Sequence, residues 1–305
     1  MSSGQPRRTG FVGLGTMGAA MAARLLECEE ALLIHDIDRV SADPLLSQDA
    51  RWAPALANLA QESEIVLLSL PGPREVAEVV SGRQGLLESL APSSVIVDLS
   101  TNAIATVRDL AQTCLEKGIA FLDSPVSGGS AGARAGTLVL MVGGDEAALA
   151  DVRPVLDKLS RSLFHLGGPG AGTVAKLVNN QLYLCGEVLF FEGLVLAAKA
   201  GLDPEALCEI LDQTGAGGVH ARLAPRILER RYDDRTFTLG LAEKDVALVL
   251  EASESLEAPM PATAAAHQLF AAALAEGMRD KNFWAAVEIA ERRAKVRLSS
   301  GNRES

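Results

Sequence analysis

Lys176 and Asn180 stand four residues apart in the run Gly170-Ala171-Gly172-Thr173-Val174-Ala175-Lys176-Leu177-Val178-Asn179-Asn180. In a helix that spacing stacks both side chains on one face within a turn. A lysine beside Leu177 and Val178 either reaches past its apolar neighbours to water or handles a proton. Near the start of the chain, Gly13-Leu14-Gly15-Thr16-Met17-Gly18 reads G-x-G-x-x-G. In that pattern the first glycine permits a tight turn. The second lets the backbone approach a pyrophosphate, and the third lets helix and strand pack closely.

Those residues need particular elements around them. Residues 9 to 13 read as a short buried strand, and Ala19 to Leu26 is a strong helix former, so the glycines fall between strand and helix. The helix N-terminus offers free N–H groups and a positive dipole end to phosphates. A second strand, Ala31 to His35, ends in Asp36. A carboxylate there can accept hydrogen bonds from ribose hydroxyls and repels a 2′-phosphate, which favours NAD. Arg39 could still meet a phosphate, so NADP stays possible. Asp36 and Asp38 could also simply terminate the strand.

Strands and helices then alternate, as in a doubly wound sheet. Ile65 to Leu70 is a continuous apolar run, as a strand covered on both faces should be, and Pro71-Gly72-Pro73 ends it. Val95 to Leu99 is the next strand, and Ser100-Thr101-Asn102 is expected to cap a helix running to Lys117. Ligands of such sheets bind beyond the carboxyl ends of the strands, which puts Leu70, Pro71, Ser100 and Thr101 near a bound cofactor. A strand over Ala120 to Asp123 leads into the glycine-rich turn Ser124 to Gly132, which either aims several N–H groups at one anion or is an ordinary loop. Strands at Leu138 to Val142 and Leu163 to Leu166 flank a helix from about Asp145 to Leu159. Gly128-Gly129-Ser130-Ala131-Gly132 matches the G-x-S-x-G of serine hydrolases, but a strand is expected after Gly132 where such enzymes need a helix.

From Thr173 onward the pattern is almost wholly helical. A long helix runs to about Ala200 and closes at Gly201, Asp203-Pro204 opens the next, and Leu241 to Leu256 and Thr263 to Ala275 are two more. His220 reads as a capping or surface histidine or as a pocket residue. The expected domains are residues 8–168 and 169–292, with flexible tails at 1–7 and 293–305.

Composition bounds the partners. The 305 residues suit two domains at roughly 150 residues each. A net charge of −11 argues against nucleic acid and against an anionic membrane surface. It leaves a small anionic substrate open, because the local field of a pocket decides that. Met1 to Arg8 lacks the apolar core of a signal peptide, and Glu187 and Glu192 interrupt the apolar run after Leu182, so no membrane span is expected. Cys28, Cys114, Cys185 and Cys208 form no C-x-x-C pair, which fits free thiols in a cytoplasmic protein. No ligand cluster for a metal is visible.

Together these stretches resemble the β-hydroxyacid dehydrogenase family, which includes 3-hydroxyisobutyrate dehydrogenase, tartronate semialdehyde reductase and 6-phosphogluconate dehydrogenase. The similarity runs from about Thr9 to Glu291. Gly13 to Gly18 with Met21-Ala22 is similar to the family's cofactor motif, and Asp123 to Gly129 to its substrate motif. Gly170 to Lys176 with Asn179-Asn180 is similar to its catalytic motif, and Phe237 through Lys244-Asp245 to a fourth, cofactor-proximal segment. The resemblance implies an α/β Rossmann-type N-terminal domain and an all-α C-terminal domain joined by a long helix. It implies that Lys176 is catalytic with Asn180 as its partner at the substrate. Ser127, Gly128 and Gly129 would hold a substrate carboxylate, with Asn179, Phe237 and Asp245 bordering the site, and Thr101 and Lys244 would touch the cofactor. The implied reaction is hydride transfer between NAD(P) and a small 3-hydroxy acid, or reduction of the matching semialdehyde, in a homodimer or homotetramer. A lysine partly desolvated in a cleft, its pKa lowered by burial, suits the proton transfer.

Two departures stand out. Arg24 occupies a place where the family often has Asn, and 215–220 lacks a bulky aromatic common in some 3-hydroxyisobutyrate enzymes. Two other readings remain: an NAD(P)-binding sensor or scaffold without catalysis, and an imine reductase-like enzyme. The latter usually lacks lysine at the position of Lys176.

Overall fold

The computed structural model describes residues 7–298. Among the described residues nine strands appear in chain order: β1 (Thr9–Val12), β2 (Leu32–His35), β3 (Arg51–Trp52), β4 (Ile65–Leu68), β5 (Val95–Asp98), β6 (Ala120–Asp123), β7 (Val126–Ser127), β8 (Leu138–Val142) and β9 (Ser160–His165). The helices of the first half are α1 (Thr16–Glu27), α2 (Asp43–Leu46), α3 (Leu56–Glu62), α4 (Pro73–Ser81), α5 (Ile104–Glu116), α6 (Gly129–Ala135) and α7 (Glu146–Leu156). Those that follow are α8 (Ala171–Lys199), α9 (Pro204–Thr214), α10 (Gly218–Leu228), α11 (Leu239–Ser255), α12 (Pro261–Ala275) and α13 (Val287–Ala294). The chain divides into two compact units, one ending at Lys176 and one starting at Leu177. The division falls within α8, whereas the sequence suggested a boundary before it.

In the first unit β3-β2-β1-β4-β5-β6 form one parallel sheet. The order reverses between β1 and β4, so a crevice opens beyond their carboxyl ends, where doubly wound sheets bind ligands. Alternate residues of the apolar strands feed two cores. Phe11, Ile34, Leu67, Val97 and Leu122 enter one, and Val12, Leu33, Val66, Ile96 and Phe121 enter the other. Covered faces on both sides explain why these strands read as unbroken apolar runs.

The later strands do not extend that sheet. β7-β8-β9 make a separate one, in which β7 and β8 are antiparallel and β8 and β9 parallel. The glycine-rich turn is also more ordered than expected, since it contains β7 and α6.

The second unit is helical. α8 is long and apolar enough, by length and composition, to cross a membrane, with 44% of its most apolar window buried. Leu184, Phe191 and Leu194 of α8 enter the helical core with Phe270 and Phe283, as in the core helix of a globular protein. Gly201 (φ 80°) follows α8, and the carboxylate of Asp203 accepts from the Glu205 N–H to start α9. Helices α10 and α13 went unread in the sequence.

Some residues of the expected tails make contacts. Arg7 pairs with Asp151 at 2.8 Å. Arg293 and Ala294 belong to α13, and Leu298 is buried and donates its N–H to Glu291 at 2.7 Å. Residues 1–6 and 299–305 lie outside the described residues.

Candidate active site

The glycine turn after β1 is built as its spacing suggests. Gly13 has φ 92°, and a β-carbon on it would collide with the Ser69 carbonyl. A β-carbon on Gly18 would run into the carbonyl oxygen of Gly13. Only glycine lets α1 start this close to β1. At Gly15 a β-carbon would meet nothing within 4 Å. Gly15 and Thr16 are exposed at the start of α1, so the turn leaves room for a phosphate to approach backbone N–H groups. Half-buried Met17 packs its side chain against the sheet core.

Asp36 follows β2 beside this turn. Its Oδ2 accepts from the Leu14 N–H at 2.6 Å and its Oδ1 from the Asp38 N–H at 2.8 Å. The carboxylate thereby fixes the glycine turn, a contact the sequence did not reveal. Arg39, the alternative partner for a phosphate, is held by Asp43 at 2.6 Å and lies over the Trp52 ring at 5.0 Å. Arg24 donates to the Lys158 carbonyl and lies 3.5 Å from Glu27.

The segment after β5 differs from expectation. Ser100-Thr101-Asn102 does not cap α5; Ala103 takes the cap position with no side-chain bond. The polar groups serve the fully buried Asp98 instead, which accepts from the Ser100 N–H at 3.0 Å and from Asn102 Nδ2 at 2.8 Å. Ser100 Oγ accepts from the Leu70 N–H at 2.9 Å, which ties the Leu70-Pro71 turn to the segment carrying Thr101. Burial pushes the Asp98 carboxyl up to about 6, against the hydrogen bonds from Ser100 and Asn102.

Asp123, paired with Asp98 in register, ends β6. It is buried, and burial raises its pKa against the hydrogen bonds from Gly170 and Thr173. Its Oδ1 accepts from the Gly170 N–H at 2.8 Å, and its Oδ2 from the Thr173 N–H at 2.7 Å and from Thr173 Oγ1 at 3.0 Å. One turn further along α8, half-buried Lys176 donates from Nζ to the Val126 carbonyl at 2.7 Å. The amine therefore meets the residue just before Ser127, Gly128 and Gly129, whose glycines have φ of 135° and 64°.

Ser130 is the second residue of α6, so a helix follows at once where a strand was expected. A hydrolase serine sits in the turn between strand and helix, and Ser130 does not. The histidines it would need are otherwise bonded: His165 to the Gly144 carbonyl, His220 to Glu187 and His267 to Glu243.

In the helical unit a second polar group is assembled. Asn180, four residues beyond Lys176 on α8, donates from Nδ2 to Asp245 Oδ2 at 2.6 Å and accepts from Asn179 at 3.0 Å. Lys244 Nζ lies 3.0 Å from Asp245 Oδ1. Asp245 is buried and engaged by Asn180 and Lys244, so it orients them. Half-buried Phe237 packs against Phe283 at 5.3 Å between ring centres.

His220 is neither a cap nor a surface residue. Its Nδ1 lies 2.6 Å from Oε2 of Glu187, which is fully buried, and its ring stacks on Tyr183 at 5.7 Å. Among the described residues no three His, Cys, Asp or Glu cluster as metal ligands.

Comparison with known proteins identifies the family. Residues 8–167 match the family described as the NAD binding domain of 6-phosphogluconate dehydrogenase. Residues 170–290 match that described as NAD-binding of NADP-dependent 3-hydroxyisobutyrate dehydrogenase. The chain is 34% identical over 296 residues to 2-(hydroxymethyl)glutarate dehydrogenase of Eubacterium barkeri, covering 96% of this chain and 98% of that one. It is 36% identical over 267 residues to 3-hydroxyisobutyrate dehydrogenase of Pseudomonas aeruginosa, covering 85% and 90%. The fold matches that of Mycobacterium tuberculosis 3-hydroxyisobutyrate dehydrogenase with L-serine at a TM-score of 0.81 and 27% identity, covering 94% and 99%.

Proposed function

The chain belongs to the β-hydroxyacid dehydrogenase family, and we propose that it oxidises a small 3-hydroxy acid or reduces the matching semialdehyde, with Lys176 handling the proton. It is an NAD(P)-dependent oxidoreductase. The observation that carries the site assignment is the 2.7 Å bond from Lys176 Nζ to the Val126 carbonyl, which sets the amine beside the Ser127-Gly128-Gly129 turn.

Gly13 to Gly18 would hold the cofactor's pyrophosphate and Asp36 its ribose, with Leu70, Pro71 and Thr101 as further contacts, and the family resemblance adds Lys244. When bound, the nicotinamide supplies the hydride acceptor or donor. Ser127, Gly128 and Gly129 fix the substrate carboxylate so that the carbinol carbon has one orientation. In oxidation the neutral Lys176 amine takes the hydroxyl proton. In reduction its ammonium form returns that proton and stabilises charge on the carbonyl oxygen. Asn180, on the same face of α8, hydrogen-bonds the reacting oxygen, oriented by Asp245 and Asn179; Phe237 borders the substrate. NAD is preferred, because the Asp36 carboxylate repels a 2′-phosphate while Arg39 is committed to Asp43 and Trp52. A reducing, cytoplasmic setting fits four cysteines that are all free thiols.

A homo-oligomer is supported by α8 itself. Leu182, Leu189 and Leu196, seven residues apart, are exposed at 69%, 69% and 72%. A two-fold axis at Leu189 would set Leu182 against Leu196 of a second copy, and Gly193 leaves room for close approach. Light scattering that finds a monomer, unchanged by Leu189→Glu, would refute this.

The test is a screen of hydroxy acids with NAD and NADP, and of semialdehydes with the reduced forms, followed by absorbance of reduced nicotinamide. Turnover of a 3-hydroxy acid and loss of it with the methyl ester are expected. Equal turnover of the ester would remove the carboxylate site, and no turnover across the panel would favour the sensor reading.

A further inference from the structure

We propose that Asp123 is the positioning residue for Lys176, locking the first turn of α8 onto the end of β6 so that the amine is held at the substrate turn. This rests on the reading of Lys176 given above. Where other α-helices here carry a side-chain cap, it is local: Asp145 bonds the Ala148 N–H, Asp203 the Glu205 N–H and Thr238 the Leu241 N–H. The start of α8 is held instead by a carboxylate about fifty residues upstream, through the Gly170 N–H, the Thr173 N–H and the Thr173 hydroxyl.

Three further features make the brace tight. A β-carbon on Gly172 would collide with the Met141 carbonyl and lie 2.7 Å from that of Asp123, so α8 lies directly on the backbone of both strands. A β-carbon on Gly143 would lie 2.5 Å from Asp123 Oδ1, so the carboxylate has little freedom to move. The Lys176 amine bonds the Val126 carbonyl, three residues beyond Asp123 on the same strand-to-turn segment. The segment thus holds α8 twice, at the helix start through a side chain and one turn later through a carbonyl. Rotation of the helix at Thr173 would swing Lys176 away from Ser127. A buried anion on the positive end of the helix resists that rotation more strongly than a neutral cap.

The measurement compares the full-length protein with Asp123→Asn and Thr173→Val in three ways. One is kcat on the best substrate, and another is affinity for the reduced cofactor by fluorescence. The third is the pH midpoint for acylation of Lys176 by an amine-reactive reagent, read by mass spectrometry. Asp123→Asn is expected to lower kcat by about tenfold or more, a loss typical of misplaced catalytic groups, while cofactor affinity stays within about twofold. Its acylation midpoint is expected to move by about half a pH unit or more. Thr173→Val, which keeps the N–H, should give smaller changes of the same kind and decides the matter if Asp123→Asn does not fold. Native kcat and a native midpoint, even with a lowered melting temperature, would overturn the proposal. Full activity of Lys176→Ala beside a shifted midpoint in Asp123→Asn would refute the catalytic reading and leave the positioning intact.

Discussion

Asn180 donates its side-chain amide to the buried carboxylate of Asp245 at 2.6 Å. Since Asp245 can only accept, this bond fixes which end of the Asn180 amide is Nδ2, and the Asn180 oxygen accepts from Asn179. Replacing Asp245 by Ala leaves a buried N–H without an acceptor, which costs about 1–3 kcal/mol of stability. The expected outcome is that loss in a urea titration together with a fall in kcat. A variant with native stability and native kcat would show that Asp245 does not orient Asn180.

Cofactor choice turns on Asp36. Asp36→Ser is expected to raise kcat/KM with NADP relative to NAD by about tenfold, as lost repulsion of the 2′-phosphate requires. Arg39 stays occupied by Asp43 and Trp52, so the ratio should move further in Asp36→Ser with Asp43→Ala. An unchanged ratio in both would mean that Asp36 serves only the Leu14 and Asp38 N–H groups.

Asp98 gives stability a pH dependence. Its folded pKa, about 6, lies above the unfolded 3.8, so between those values the folded state holds more proton than the unfolded one. Stability therefore falls as pH rises through that window, and Asp98 contributes about 1 kcal/mol per pH unit at most. Asp123, shifted in the same direction by burial, adds to the slope. In Asp98→Asn the decline from about pH 4 to 6 should be flatter when followed by urea midpoints. A slope identical to the native one would contradict the burial argument.

Glu187 and His220 form a buried pair in which Oε1 of Glu187 has no hydrogen-bond partner. Burial raises the Glu187 pKa, and the hydrogen bond to His220 opposes this. His220→Ala leaves that carboxyl without its hydrogen-bond partner and should cost about 1–3 kcal/mol. The same change in a Glu187→Gln background should cost less. Equal losses in the two backgrounds would show that the pair is not coupled.

How much of this was legible follows from where each constraint acts. The glycine turn is local: Gly13, Gly15 and Gly18 answer to backbone geometry within six residues, and their pattern survives in sequence. The spacing of Lys176 and Asn180 likewise marked one face of α8. Asp123 at the start of α8 was invisible, because its donors lie 47 and 50 residues away. The two-residue strand β7 exists only through pairing with β8, so no periodicity announces it. Ser100 and Asn102 have the composition of a cap but answer to the buried Asp98, since an unsatisfied carboxylate in the core outweighs a helix end near the surface. The place of His220 stayed open for a related reason, as its carboxylate partner lies 33 residues upstream.

The most direct measurement is turnover by Lys176→Ala on the best hydroxy acid, beside its affinity for reduced cofactor. Turnover is expected to fall by about a hundredfold or more, the usual size of a lost acid–base group, while cofactor affinity stays native. Activity within about tenfold of native, with the cofactor still bound, would contradict proton transfer by the Lys176 amine.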